Sequence, residues 1–275
     1  MDEWMDYLLP GLFAGVVAMA VPAAIERFGG KLGGLLGTLP STIVPAAIGI
    51  RLTAADDAMF VASMAMVPAG MFLNVLFLWL WRVLPPRLPA LSISARLALM
   101  VGVSLSVWIA LALGVVMGGE ALILRGVPAM GMGLTSAMAI VVLGVVACWR
   151  HVPAPSGSRS VAPWMHLLRG LFACAAIAFA VWLSAVGGAV ASGVASIFPA
   201  IFVTTMAALW LSQGEAVQAG AVGPMMLGSS SVAAFALIAA IVLPAFGNPI
   251  GAVVAWLSAV CLTSIPAWLW LRRAP

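Results

Sequence analysis

The sequence contains few charged residues. Only 7% of its 275 residues are Asp, Glu, Lys or Arg, whereas soluble domains carry about 25%. Hydrophobic residues make up 64% of the chain, and the mean hydropathy is +1.20. A water-soluble globular fold is therefore excluded. The net charge of +4 does not indicate a nucleic-acid partner, because the basic residues are spread singly and in pairs near the ends of apolar runs.

Residues that usually carry out catalysis or bind metals are also scarce. The chain has two His, both in one polar segment, and three Cys without CxxC spacing. It lacks the HExxH, GxGD and GxSxG motifs, so we expect no enzyme activity, no catalytic residue, no metal and no cofactor. Thioethers can bind Cu(I), but without His or paired Cys in the apolar runs the 16 methionines are expected to fill the core.

Long charge-free runs divide the chain at the interval typical of membrane helices. A bilayer core of about 30 Å needs roughly 20 apolar residues in a helix. The stretches on either side of Glu215 are long enough for two spans each, with turns at Gly187-Gly188 and at 247–249. Continuous runs predict helices rather than the strands of a barrel. We predict an all-α polytopic membrane protein of about nine spans, with eight or ten as alternatives. Its first five runs are 7–25, 32–50, 58–81, 97–119 and 126–149.

The predicted spans fall into two groups that resemble each other. We assign 1–150 to a first membrane repeat of about five helices, 151–166 to a cytoplasmic linker, and 167–275 to a second repeat of about four helices. An offset of 159 residues aligns the groups without a gap over a long stretch. It pairs Pro40 with Pro199, Asp56 with Glu215 and Pro85 with Pro244.

The parity of the spans predicts how the two groups are oriented. Five predicted spans separate equivalent points, so the second repeat enters the membrane from the opposite side. Inverted repeats recur in secondary transporters, whose halves rock about a central site to give alternating access. This architecture predicts a transporter, although some channels also have inverted halves.

The basic residues predict the orientation in a bacterial-type plasma (inner) membrane. Placing the N-terminus outside and the C-terminus in the cytoplasm leaves only Arg51 and Arg125, of 12 basic residues, on the outer side. Tryptophans near the predicted span ends are expected to be interfacial anchors, because an indole can meet both lipid and water. They are Trp4, Trp79, Trp81, Trp149, Trp164, Trp210, Trp268 and Trp270.

Two segments interrupted by Gly and Pro occupy equivalent places in the repeats and predict a substrate site. A proline inside a span frees the carbonyl four residues earlier, here that of Leu36 or Ala195. The alternative is that the small residues only allow close helix packing. The predicted substrate-binding residues are Thr38, Pro40, Ser41, Thr42, Ser196, Pro199, Thr204 and Thr205.

Three carboxylates are candidates for ion coupling, because ionisable groups within a membrane are usually functional. Glu26 ends the first predicted span, and Glu215 is the only ionisable side chain between Arg169 and Arg272. The repeat places Asp56 opposite Glu215. For each of them, an ordinary solvated position at a span boundary or in a loop is the alternative.

One local pattern resembles a known family. Phe198 to Phe202, followed by Leu211 to Glu215 and Gln218 to Ala221, is similar to the proline, Gly-Glu and Gln-x-Gly pattern of the drug/metabolite transporter superfamily. The resemblance implies two inverted five-helix halves and export of small metabolites. The chain departs from that pattern in having nine predicted spans rather than ten, and in having Ala55-Asp56 where the first half would carry Gly-Glu.

The sequence thus predicts an integral inner-membrane transporter of a small solute. Its expected partners are the lipid bilayer and a small-molecule or ion substrate, and a homodimer is compatible with this prediction. A channel, or a membrane protein with a structural or assembly role, is the alternative.

Overall fold

A computed structural model describes residues 3–26, 39–149, 163–186 and 188–273, and these ranges consist of helices joined by turns, without a strand. A 3₁₀ turn spans Pro85–Arg87, and a π-helical turn spans Val260–Ser264. The helices are α1 (Glu3–Glu26), α2 (Ile43–Thr53), α3 (Asp57–Val83), α4 (Ile93–Leu124), α5 (Ala129–Trp149), α6 (Pro163–Ala185), α7 (Ala189–Ala195), α8 (Ala200–Gln213), α9 (Glu215–Phe246), α10 (Asn248–Ala259) and α11 (Ile265–Arg273).

Seven helical stretches in the described ranges are long and apolar enough to cross a membrane, as expected of a multi-pass membrane protein. The predicted nine spans are not confirmed. The first predicted span lies within α1, whose fully described apolar stretch is Leu8–Met19, and the second falls partly outside the described residues, leaving Ile43–Thr53. The seven are 57–83, 93–124, 129–149, 164–185, 189–211, 220–246 and 248–272.

The helix boundaries follow from local chemistry. The Asp56 carboxylate accepts a hydrogen bond of 2.7 Å from the Met59 N–H and so caps α3. Gly247 has a φ of +80°, which separates α9 from α10 and confirms the turn predicted at 247–249. Helix α6 begins at Pro163, so the end of the predicted 151–166 linker is helical, and 151–162 lie outside the described residues.

Helices α3 and α9 form the centre of the bundle. In each of them 78% of the membrane-spanning window is buried, compared with 17% in α4. Helix α5 packs against both, and its Gly133 lies beside the Ala65 carbonyl of α3 and Leu237 of α9. Further along α5, Gly144 touches Leu227, so α5 and α9 run antiparallel.

Contacts at the other end of α5 give the direction of α3. The Arg82 guanidinium donates a 2.8 Å hydrogen bond to the Ala147 carbonyl, and Gly223 of α9 also lies against that carbonyl. Helix α3 therefore runs parallel to α5. Since α5 and α9 are antiparallel, α3 and α9 run in opposite directions.

Helices α1 and α6 also cross in opposite directions at a seam of small residues. A methyl group added at Gly11 would lie 2.7 Å from the Cys174 carbonyl oxygen, and one added at Gly15 would lie 2.9 Å from the Gly170 carbonyl oxygen. Gly170 in turn contacts Met19. Small residues allow this close approach of the backbones, which is the usual basis of helix association in membranes.

Candidate functional site

The candidate span Ala189–Leu211 consists of two helices, because the chain breaks between α7 and α8. The Phe198 N–H donates to the Ala195 carbonyl at 3.0 Å, and the Ala200 N–H donates to the Phe198 carbonyl at 2.7 Å. Pro199 lies in this tight turn, directly before α8. The prediction of a free Ala195 carbonyl inside one continuous helix is therefore wrong, because the helix ends before the proline. Leu36 lies outside the described residues.

The same turn occurs before α2. The Ser41 N–H donates to the Leu39 carbonyl at 2.7 Å, around Pro40. The offset of 159 residues that pairs Pro40 with Pro199 also pairs this hydrogen bond with the one from Ala200 to Phe198. Helices α2 and α8, which follow the two turns, each contact both central helices.

One face of α3 packs against α7 and the break. Gly193 of α7 lies so close to the Ser63 carbonyl that a side chain there would collide with it. One to two turns further along, Gly70 contacts Val194 and Ile197. The α3 residues that make these contacts are spaced by the helical repeat, so they lie on one face of the helix. The first half of α3 therefore packs against the broken span.

Asn74 lies on this face, at the level of the break. Its side-chain N–H donates a 2.7 Å hydrogen bond to the Ile197 carbonyl, so the other atom of the amide is the oxygen. That oxygen, Oδ1, is buried and has no hydrogen-bond partner among the described residues. Asn74 is only 1% exposed. A buried acceptor without a donor is costly and requires an explanation.

Three buried serines of α9 lie close to the same level. Contacts through α5 place Ala65 of α3 at the level of Leu237 of α9, and Arg82 of α3 at the level of Gly223. Asn74 lies about midway between Ala65 and Arg82, and it is therefore near the level of 229–231. The Ser229 and Ser230 hydroxyls donate to carbonyls of their own helix, at 2.9 and 2.7 Å. A hydroxyl bonded in this way keeps acceptor lone pairs, so uncharged polar groups lie at this level within an otherwise apolar core.

Arg169 places a charge beside the first turn of α8. Its Nε donates to the Thr204 hydroxyl at 3.3 Å, and that hydroxyl donates to the Ala200 carbonyl at 2.8 Å. The sequence placed Arg169 at the cytoplasmic boundary, but the residue is only 4% exposed. Burial of a guanidinium among membrane helices is unusual enough to indicate a role in function or assembly.

The predicted site residues have different surroundings. The Ser196 hydroxyl donates to the Gly193 carbonyl at 2.8 Å, while Ser41, Thr42 and Thr205 are half-buried. Ser196, Pro199, Thr204 and Thr205 lie together at the α7–α8 break, and Pro40, Ser41 and Thr42 lie at the turn before α2. Thr38 is outside the described residues. Arg169 is an addition from the structure, whereas Asn74 can be singled out in the sequence, although only weakly, as an isolated amide that could form hydrogen bonds within an apolar run.

The three candidate ion-coupling carboxylates lie at helix ends. Asp56 is exposed, and its carboxylate is engaged as the cap of α3. Glu26 is the last residue of α1 and Glu215 the first of α9, but the structure does not describe their side chains.

Different kinds of contact lie at the two ends of α3. Trp81 of α3 and Trp210 of α8 meet edge to face, with ring centroids 5.9 Å apart. Both are buried, so the prediction that they are interfacial anchors is wrong. The 159-residue offset pairs Trp210 with Arg51, which forms a 2.5 Å ion pair with Asp57 and lies over the Phe60 ring.

No family model, no curated protein and no solved structure matches this chain, so its function has to be argued from its own geometry.

Proposed function

We propose that this protein is an inner-membrane transporter of a small solute, working by alternating access between two inverted repeats. In this proposal the N-terminus lies outside and the C-terminus in the cytoplasm. The solute site lies between the central helices α3 and α9, next to the turns at Pro40 and Pro199. Membership of the drug/metabolite transporter superfamily is part of the same proposal.

The observation that carries the proposal is the repeated turn. The Ser41-to-Leu39 and Ala200-to-Phe198 hydrogen bonds have the same length, the same spacing and equivalent positions at the 159-residue offset. Discontinuous spans at equivalent places in two halves are the feature that marks substrate sites in secondary transporters. Close packing alone requires small residues but does not require the same backbone turn twice.

The directions of the equivalent helices support inversion. The offset pairs α1 with α6 and α3 with α9, and both pairs run antiparallel in their contacts. Two copies threaded in the same sense would give parallel partners. Because α1 and α6 cross near equivalent residues, Ala14 and Ala173, the crossing agrees with an approximate two-fold axis in the membrane plane.

The site that results suits a polar solute that brings its own hydrogen-bond donor. Asn74 holds the break through the Ile197 carbonyl and leaves Oδ1 as an acceptor. Rocking of one half against the other would expose this oxygen first to one side of the membrane and then to the other. Arg169 links α6 to α8 and so ties the break to the pair of crossing helices.

The test uses cysteine accessibility, which does not require a known substrate. In a background with Cys148, Cys174 and Cys261 replaced by Ala, single cysteines at Ser41 and Thr205 are exposed to a membrane-impermeant maleimide from either side. We expect both positions to react with the maleimide from both sides of the membrane. When the protein is locked in one state, the reaction rate should rise for reagent added on one side and fall for reagent added on the other. Complete protection from both sides would overturn the proposal.

Flux measurements separate the remaining function classes. Ligands that raise the thermal stability of the purified protein identify the solute, because only binding to the folded state stabilises it. In liposomes a carrier shows saturable counterflow of that solute, whereas a channel shows conductance without counterflow. A structural or assembly protein shows neither.

A further inference from the structure

An apolar cavity of about 490 Å³ lies between α4, α6 and the broken span. Its walls include Trp108 and Ala112 from α4, Phe172 and Phe179 from α6, and Val194 and Phe198 from the segment around the break. None of the residues that line it is charged, and Trp108 carries the only polar side-chain atom among them. The volume falls within the range of about 300–1,000 Å³ found for ligand pockets.

The mouth of the cavity opens on the apolar outer surface of α4 and α6, which are both candidate membrane-spanning helices. In the described part of the chain α4 and α6 barely touch, so the cavity opens sideways between them. The side chains at this opening are large and exposed, as in Leu113, Phe172 and Phe179. Trp108 stands at the middle of α4, so the cavity lies at the depth of the membrane centre.

The cavity also reaches the broken span. The Trp108 ring meets the Phe198 ring edge to face, with centroids 5.3 Å apart, and Phe198 directly precedes Pro199. The Trp108 indole nitrogen is buried and has no hydrogen-bond partner among the described residues. Because this nitrogen is not accessible from the cavity, a ligand from water would find no polar side-chain group there to orient it, whereas a hydrocarbon chain needs none.

We infer that this cavity binds one hydrocarbon chain of a bilayer amphiphile. The chain enters between α4 and α6, because the mouth is continuous with the lipid-facing surface of both helices. The hydrocarbon chain packs against the aromatic rings of α4 and α6 and against Phe198, so it contacts the α7–α8 break directly. The inference goes beyond the proposed transport, and it holds whether or not the protein moves a solute.

The test is photolabelling in liposomes that contain a phospholipid with a diazirine in the middle of one acyl chain. After irradiation and proteolysis, mass spectrometry locates the modified residues. We expect labelling to concentrate on the cavity walls of α4, α6 and α7, above the level at other lipid-facing residues. The matched pair of variants is Ala112→Trp, which fills the cavity, and Ala110→Trp, which adds the same ring to an exposed position on the same helix outside it.

The two variants give opposite expectations. The ring introduced by Ala112→Trp occupies the space of the chain, so labelling of the walls should fall to the level found at other lipid-facing residues. Ala110→Trp should leave it unchanged. If Ala112→Trp does not fold, as judged by its circular dichroism and gel filtration, Ala176→Trp fills the same cavity from α6.

Three results would overturn the inference. One is uniform labelling of all lipid-facing helices, and another is labelling of the walls that persists in the filled variant. The third is displacement of the label by a water-soluble aromatic compound such as indole, but not by added fatty acid. That outcome would identify the occupant as a soluble aromatic molecule. Solute flux is not part of the readout, so a failed transport proposal leaves this result intact.

Discussion

Replacing Asn74 tests whether its buried oxygen is free for a ligand. Asn74→Leu keeps the branched shape of the side chain but removes the hydrogen bond to the Ile197 carbonyl, whose 2.7 Å length is within the usual range for N–H···O bonds. Polar contacts between membrane helices contribute about 0.6 kcal/mol on average and about 1.7 kcal/mol at most. The same change also removes an unpartnered acceptor, whose burial costs about 1–3 kcal/mol.

The change also leaves the Ile197 carbonyl without the Asn74 donor, at a similar cost, so the lost hydrogen bond should dominate and Asn74→Leu should lower the free energy of unfolding by about 1–2 kcal/mol. Asn74→Ala should cost about 2 kcal/mol or more, because it adds a cavity to the same losses. Both values can be measured by titrating the protein in mixed micelles with SDS and following its circular dichroism. A loss of about 3 kcal/mol or more in Asn74→Leu would show that Oδ1 already has a partner in the folded protein. Oδ1 of Asn74 would then not be available to bind a ligand.

Three further predictions concern packing and membrane burial. Gly193→Ala should destabilise the protein by about 1–3 kcal/mol because its methyl group meets a carbonyl of α3, whereas Gly118→Ala, with open space around it, should be neutral or stabilising in the same SDS titration. Trp210→Ala should cost about 3–5 kcal/mol, and Trp149→Ala, which removes an exposed ring, should cost far less. Cys261, exposed in the middle of the last membrane-spanning stretch, should resist an impermeant maleimide in intact liposomes and react once the protein is unfolded in detergent.

Helix positions were largely predictable because charge marks the span boundaries. The runs 58–81, 97–119 and 126–149 lie inside α3, α4 and α5 or extend no more than three residues beyond them. The turns near Gly188 and Gly247 also lie where Gly interrupts an apolar run. A desolvated charge is so unfavourable in lipid that its position carries information about topology even without any partner.

The site was less predictable, because it depends on contacts between distant segments. A proline in an apolar run is compatible with a kink inside a helix or with a break between two helices, and only tertiary contacts decide between them. At Pro199 the chain breaks between two helices instead of kinking within one. Asn74 stabilises this break by its hydrogen bond to the Ile197 carbonyl, from a helix more than 120 residues away in sequence. Arg169 shows the same limitation, because its burial depends on α8 packing over it.

The contacts at the two ends of α3, the Arg51–Asp57 ion pair and the Trp81–Trp210 ring contact, respond to different conditions. The Arg51–Asp57 pair is partly exposed and is therefore weakened by salt, whereas the Trp81–Trp210 contact is apolar and is not. If each contact seals one end of the solute pathway, raising the ionic strength favours opening at the Arg51 end alone. The resting orientation of the protein would then depend on the electrolyte that bathes it, with no change in membrane voltage or in solute concentration.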